Sequence, residues 1–154
     1  MGLRDRRLIA DAEEMARCTT GDSPIRILGT EGNPPERYFL EYQVPGLVIQ
    51  DGSVQPWDRH RVEIFLTLSY PRQAPQCRML TPVFHPNIAP HAICIGDHWT
   101  AGESIGALAI RIAEMLTYQS YNVKSPLNGE AAKWAEENLS RLPLDRKDFW
   151  GLLK

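Results

Sequence analysis

The chain is 154 residues long, 43% hydrophobic and 23% charged, which is ordinary for one globular domain with a buried core. Its 17 Lys and Arg against 19 Asp and Glu leave a net charge of −2, which argues against nucleic acid or another polyanion as the main partner. No apolar run approaches the ~18 residues of a membrane span, and the opening MGLRDRRLIADAEEMARC mixes both charge signs, unlike a secretory signal.

Residues 3–18 read as a helix, with Leu8, Ile9, Ala12, Met15 and Ala16 at helical spacing and Arg4, Arg6, Arg7 and Arg17 among the polar positions. Strand signals follow at 24–28, at 37–44 (Tyr38, Leu40, Tyr42 and Val44 on one face), at 47–49, and at 60–68 (Val62, Ile64, Leu66 and Leu68 on one face). Asp51-Gly52 and Pro56 read as the turn before the last of these. This spacing predicts an antiparallel meander with one face to pack. Residues 69–103 carry Pro71, Pro75, Pro82, Pro86 and Pro90, so they read as a long structured loop, a usual place for function. Two helices close the order, 104–118 and 128–139, the second capped by Asn128. Phe149, Trp150, Leu152 and Leu153 predict a packed tail. Helix, meander, loop, helix, helix is an α+β pattern in a single domain, 1–154.

The three cysteines are Cys18, Cys77 and Cys94. An odd count with wide spacing is a poor disulfide framework and fits a reducing cytoplasm. Cys18 and Cys77 read as small buried hydrophobes. Cys94 has different neighbours. It lies in the proline-rich segment with His85, His91 and His98.

The motifs Tyr70-Pro71-Arg72-Gln73-Ala74-Pro75, Phe84-His85-Pro86-Asn87-Ile88, Ile93-Cys94-Ile95, Trp99, Ser125-Pro126-Leu127 and Glu130-Ala131-Ala132, in that order, resemble the ubiquitin-conjugating enzyme family. The resemblance covers the chain from the first helix to about residue 139. It implies an N-terminal helix, a four-stranded antiparallel meander sheet, a long active-site loop and C-terminal helices. It implies that the Cys94 thiolate accepts a ubiquitin-like modifier as a thioester from an activating enzyme, then gives it to a lysine amine of a target protein. It calls for no cofactor and no metal, since ATP is consumed upstream. In the family the Asn of His-Pro-Asn, here Asn87, stabilises the oxyanion, and the His, here His85, supports the active-site loop. Ser125 stands where many relatives carry Asp; a hydroxyl can bond the amine but is no carboxylate base. Asn122 falls at a polar loop position facing the Cys. A basic first helix, here Arg4, Arg6 and Arg7, contacts the activating enzyme.

Departures from the family pattern carry expectations of their own. Only four residues separate Cys94 from Trp99, fewer than in common relatives, and they bring in Asp97 and His98 as candidates for lysine handling. Arg72 replaces an aromatic anchor, and Thr100-Ala101-Gly102 replaces Ser-Pro-Ala, so an ordinary RING-type ligase is not expected. These changes point to a divergent, bacterial type of conjugation system, of the antiphage-defence kind. Two other readings stay open. One is a non-catalytic binding module for a ubiquitin-like protein, although such variants lack the Cys. The other is a zinc site or Cys–His hydrolase built from His85, His91, Cys94 and His98, whose spacing matches no common zinc pattern.

Overall fold

The computed structural model describes residues 1–95 and 99–154. Its first helix, α1 (Leu3–Cys18), has the expected bounds. Its buried stripe is Leu8, Asp11, Met15 and Cys18, whereas Ala16 faces solvent. The carboxylate on that stripe is fully bonded. Asp11 accepts from the Tyr70 hydroxyl, from Arg7 Nε at 3.2 Å and from the Ile105 amide at 3.2 Å. A buried charge is tolerable only when satisfied in this way.

The main sheet has four antiparallel strands, β1 (Ile25–Glu31), β2 (Arg37–Tyr42), β5 (His60–Phe65) and β6 (Gln76–Met79), in that spatial order. Its inner face carries Ile25, Tyr38, Leu40, Tyr42, Val62 and Ile64, all at most 1% exposed. Leu66 extends that row, but Leu68 is 85% exposed, because the strand ends at Phe65 and the alternation no longer holds beyond it. On the outer face Glu63 pairs with Arg37 and Arg78 at 3.1 and 3.0 Å.

Between β2 and β5 the chain makes a separate hairpin, β3 (Gly46–Gln50) and β4 (Ser53–Trp57). The run 47–49 therefore leaves the main sheet, and Pro56 sits inside a strand rather than in a turn. Proline is acceptable there because β4 is an edge strand. The turn is Asp51-Gly52, both at positive φ (52° and 78°), as a tight hairpin requires. The fourth strand of the main sheet, β6, comes from the proline-rich segment.

Helix α2 (Ile105–Leu116) is capped by Ser104, whose hydroxyl accepts from the Ala107 amide. It packs with α1 into the same core as the inner sheet face. Tyr42 ties sheet to helix by donating to the Ala109 carbonyl at 2.7 Å. Helix α3 (Gly129–Glu137), capped by Asn128, joins a smaller cluster of Leu47, Phe84, Tyr118, Ala131 and Ala135. The tail packs through Phe149, 1% exposed, and the 3-10 turn Phe149–Leu153 lies against α1 and α2, but Trp150, expected to pack with it, is 38% exposed. No helix among the described residues is long and apolar enough to cross a membrane.

Candidate active site

A two-stranded ribbon, β7 (Ile88–Ala89) and β8 (Ala92–Ile93), builds the centre of the site. Ile88 pairs with Ile93, so Asn87 and Cys94 fall opposite each other at its open end. The Cys94 amide donates to the Asn87 carbonyl at 3.0 Å. The spacing from Asn to Cys is thus the length of a tight hairpin. Residues alternate faces in an extended chain. Ile93 and Ile95 are each 4% exposed, and Cys94 between them is turned outward.

The other two thiols are enclosed. Burial pushes the Cys18 thiol up to about 11 and raises that of Cys77 further. Both hold the buried places expected of them. Thiolate reactivity requires access as well as ionisation, so Cys94 is the thiol placed to react with an external group.

Asn87 is held by the loop between α2 and α3. Its Oδ1 accepts from the Asn122 amide and its Nδ2 donates to the Asn122 carbonyl, both at 2.8 Å. A primary amide has two N–H bonds, so one Nδ2 hydrogen is left over. The Leu127 and Asn128 amides both donate to the Pro86 carbonyl, at 2.8 and 3.0 Å. Under this brace lies His85, fully buried. Its Nδ1 accepts from the Asn87 amide at 3.0 Å, which assigns the proton to Nε2. The Met115 and Ser120 carbonyls lie on that side and slightly favour the charged ring, without completing a hydrogen bond. Burial dominates and pushes the His85 pKa down to about 4. The ring is not among the residues that line the groove at Cys94.

The groove at Cys94 has a volume of about 560 Å³. Asn87, Asn122 and Ser125 line it with the thiol, so these expected residues do come together. Asn122 contributes its backbone to Asn87, while its Oδ1 accepts from the Lys124 amide at 2.8 Å. Tyr121 forms part of the wall. Tyr118 instead packs on His85 and donates to the Phe84 carbonyl at 2.6 Å. Asp97 and His98 lie outside the described residues. Of the N-terminal arginines, Arg4 bonds Glu36 and the Thr67 carbonyl, and Arg7 bonds Asp11 and the Ala101 and Glu103 carbonyls. These two bind α1 to the rest of the molecule, and Arg6 is the member of the trio that faces solvent.

Arg111 and Glu114 of α2 also line the groove, and neither was expected there. The available signal was their spacing of three, which puts two charges on one side of an otherwise apolar helix. Trp150 of the tail donates to Glu114 at 3.1 Å. Among the described residues no group of three His, Cys, Asp or Glu side chains is placed to hold a metal ion.

A model of the family described as ubiquitin-conjugating enzyme matches residues 43–143. The chain belongs to the ubiquitin-conjugating enzyme family. It is 27% identical over 139 residues to ubiquitin-conjugating enzyme E2 3 of Arabidopsis thaliana, covering 86% of this chain and 85% of that protein. The fold is similar to that of the Toxoplasma gondii ubiquitin-conjugating enzyme domain TgTwinScan_2721, with a TM-score of 0.63, 21% identity and 88% of each chain covered. It is also similar to a structure described as a novel ubiquitin-conjugating enzyme, with a TM-score of 0.65, 21% identity and coverage of 90% and 89%. Membership makes this conjugating-enzyme homologue a transferase. It also implies an activating enzyme, a ubiquitin-like modifier and target proteins as the family's partners.

Proposed function

We propose that Cys94 carries a ubiquitin-like modifier as a thioester and passes it to a lysine of a target. The observation that carries this reading is the exposed Cys94 facing a groove together with a braced Asn87. The thiolate attacks the carbonyl carbon of a thioester on the activating enzyme. A carbon–sulfur bond forms to Cys94, and the activating enzyme's thiolate leaves. A lysine amine then attacks the same carbon, an amide forms, and the Cys94 thiol is released. Asn87 donates its free Nδ2 hydrogen to the oxyanion of that second step. Its pairing with Asn122 fixes the amide beforehand, as such a donor requires. The Ser125 hydroxyl accepts from the incoming amine, and Asp97 and His98 assist it. Arg6 contributes to the activating-enzyme contact.

Exposed Arg72, in place of an aromatic anchor, supports a system without an ordinary RING ligase. Together with the short Cys94–Trp99 segment, it supports a divergent, bacterial type of system with its own activating enzyme. Free thiols support a reducing, cytoplasmic setting.

Incubation with activating enzyme, modifier and ATP is expected to give an adduct that thiols cleave. Cys94→Ala should abolish it, and Cys94→Ser should give an oxyester that thiols leave intact. A cleavable adduct that persists in Cys94→Ala would move the reactive thiol and overturn the proposal. Asn87→Ala should load but discharge to free lysine more slowly by about 10²–10³. Equal discharge rates would remove Asn87 from the chemistry.

A further inference from the structure

Two charged side chains of α2, Arg111 and Glu114, line the Cys94 groove, and the transfer steps above use neither. The two differ in how their charge is met. Arg111 Nη1 donates to both carboxylate oxygens of Glu103, at 2.6 and 2.5 Å, so its charge is matched within the fold. Glu114 has no such match. Among the described residues no Arg, Lys or His side chain pairs with its carboxylate. Its side-chain partner is neutral: the Trp150 indole N–H donates to Oε2 at 3.1 Å. Oε1 bonds to nothing among the described residues and is not enclosed. The backbone of Glu114 is fixed as well. Its carbonyl accepts from the Gln119 and Ser120 amides at 2.9 and 3.1 Å. Those bonds open the loop that carries Tyr121, Asn122 and Ser125 into the groove, the same loop that braces Asn87. Among the described residues lining the groove, Glu114 is the one carboxylate and the one unmatched charge.

We propose that Glu114 is a specificity-determining residue of the Cys94 groove, whose carboxylate captures the acceptor lysine by its ammonium charge. This rests on the thioester reading above. The two groups that meet at Cys94 differ in charge. The modifier's reacting end is a thioester, which carries none. The lysine, with an ordinary pKa of ~10.4, arrives as an ammonium ion. A single unmatched carboxylate in the shared groove attracts the second and is indifferent to the first. An opposite charge also favours the charged form of the amine, so Glu114 serves capture and not deprotonation. The ammonium gives its proton to water, and the neutral amine then attacks the thioester carbon. Trp150 holds one carboxylate oxygen and leaves the other for the incoming cation.

The probes are two nucleophiles offered to the protein loaded at Cys94. One is capped lysine, whose single charge is its ammonium; the other is hydroxylamine, which is uncharged near neutral pH. Glu114→Gln keeps the shape of the side chain and removes its charge. Discharge to lysine should slow by about fivefold, the upper range for a half-exposed ion pair, while loading and discharge to hydroxylamine stay unchanged. Glu114→Asp should recover most of the lysine rate. Added salt should narrow the lysine gap between the unaltered protein and Glu114→Gln, since exposed charges are screened. Glu136→Gln, on an exposed carboxylate that does not line the groove, should alter neither discharge. An unchanged lysine rate in Glu114→Gln would overturn the proposal. So would an equal slowing with both nucleophiles, which would make Glu114 a packing residue. Slower loading with an intact lysine-to-hydroxylamine ratio would overturn it too, and would give the carboxylate to the modifier. The unloaded protein provides a separate readout. Matched thiosulfonate reagents, one ending in an ammonium and one in a sulfonate, both react with the Cys94 thiol. In Glu114→Gln their rate ratio should move toward the anionic reagent by about fivefold. An unchanged ratio would mean that the charge does not reach the thiol, and would overturn the proposal. Failure of the unaltered protein to form any thioester would sink the thioester reading and the lysine assignment with it. A thioester that forms and discharges without regard to the charge at residue 114 would sink the lysine assignment alone.

Discussion

His85 shows how one buried ring couples the site to solution conditions. Its folded pKa of about 4 lies below the ordinary value of 6.5. Between those two values the unfolded chain takes up a proton that the folded chain refuses. Stability conferred by the neutral ring is therefore complete above 6.5 and declines as the pH falls toward 4. At ~1.4 kcal/mol per pKa unit, the loss between neutrality and about pH 4.5 is on the order of 2–3 kcal/mol. Burial lowers the His60 pKa too, so the whole protein loses stability in the same direction. His85→Gln can still accept from the Asn87 amide but cannot titrate. Urea unfolding should therefore show a shallower pH dependence in the variant, by about that amount. An identical dependence in both proteins would mean that His85 is not buried as a neutral ring. At this scale the sequence exposed the Asn87–Cys94 spacing through the family motif it resembles, and not the outward turn of Cys94, because two-residue strands are too short for periodicity to show. It did not expose that Asn87 is braced by the backbone of Asn122, since a backbone partner leaves no trace in residue type. Asp11 was illegible for a related reason. Polar residues are read as surface, and its partners Tyr70 and Ile105 are distant in sequence.

Among the elements, the helices were the most legible. Their apolar stripes and caps are local, and Asn128 and Ser104 both cap as their residue types suggest. The strands were harder wherever proline intervened. Pro56 hid β4, and the prolines around residues 76–79 hid β6, although Cys77 and Met79 alternate inward there. Four residues are too few for periodicity to outweigh a proline-rich neighbourhood. The β3–β4 hairpin depends on one close approach. Gly46 opens β3, and a Cβ at that position would stand 2.7 Å from the ring of His60 and 3.3 Å from the Leu116 carbonyl. The ring is fully buried and held at Nε2, so it has little room to yield. Gly46→Ala should therefore cost about 1–3 kcal/mol, the range for overpacking a filled site, while Gly129→Ala, where nothing stands within 4 Å, should not. Equilibrium unfolding of the two variants checks this. Equal stability in both would mean that the hairpin root is looser than its packing implies.

At the scale of the whole molecule, the fold separates three chemically identical thiols into two classes. Cys18 lies at the end of α1, 0% exposed, and Cys77 lies on the inner face of β6, 5% exposed. Either could meet a reagent only after the core opens. Burial also holds both thiols in the protonated form, with Cys18 at about 11. Cys94 stands outside the core on a ribbon whose isoleucines are inside. A maleimide or aromatic disulfide in modest excess at neutral pH should modify one thiol per chain rapidly, and Cys94→Ser should remove that phase entirely. The remaining two should react more slowly by about 10³-fold or more, since a native protein is unfolded only about 10⁻³ to 10⁻⁶ of the time. Denaturant should bring all three to one rate. Peptide mapping of the fast phase identifies the residue. A second fast thiol would mean that the core around α1 or β6 opens readily, and the assignment of a unique acyl carrier would then lose its structural basis. A single fast thiol that maps to Cys94 would tie the selectivity to the architecture, because nothing in the chemistry of a free cysteine distinguishes the three.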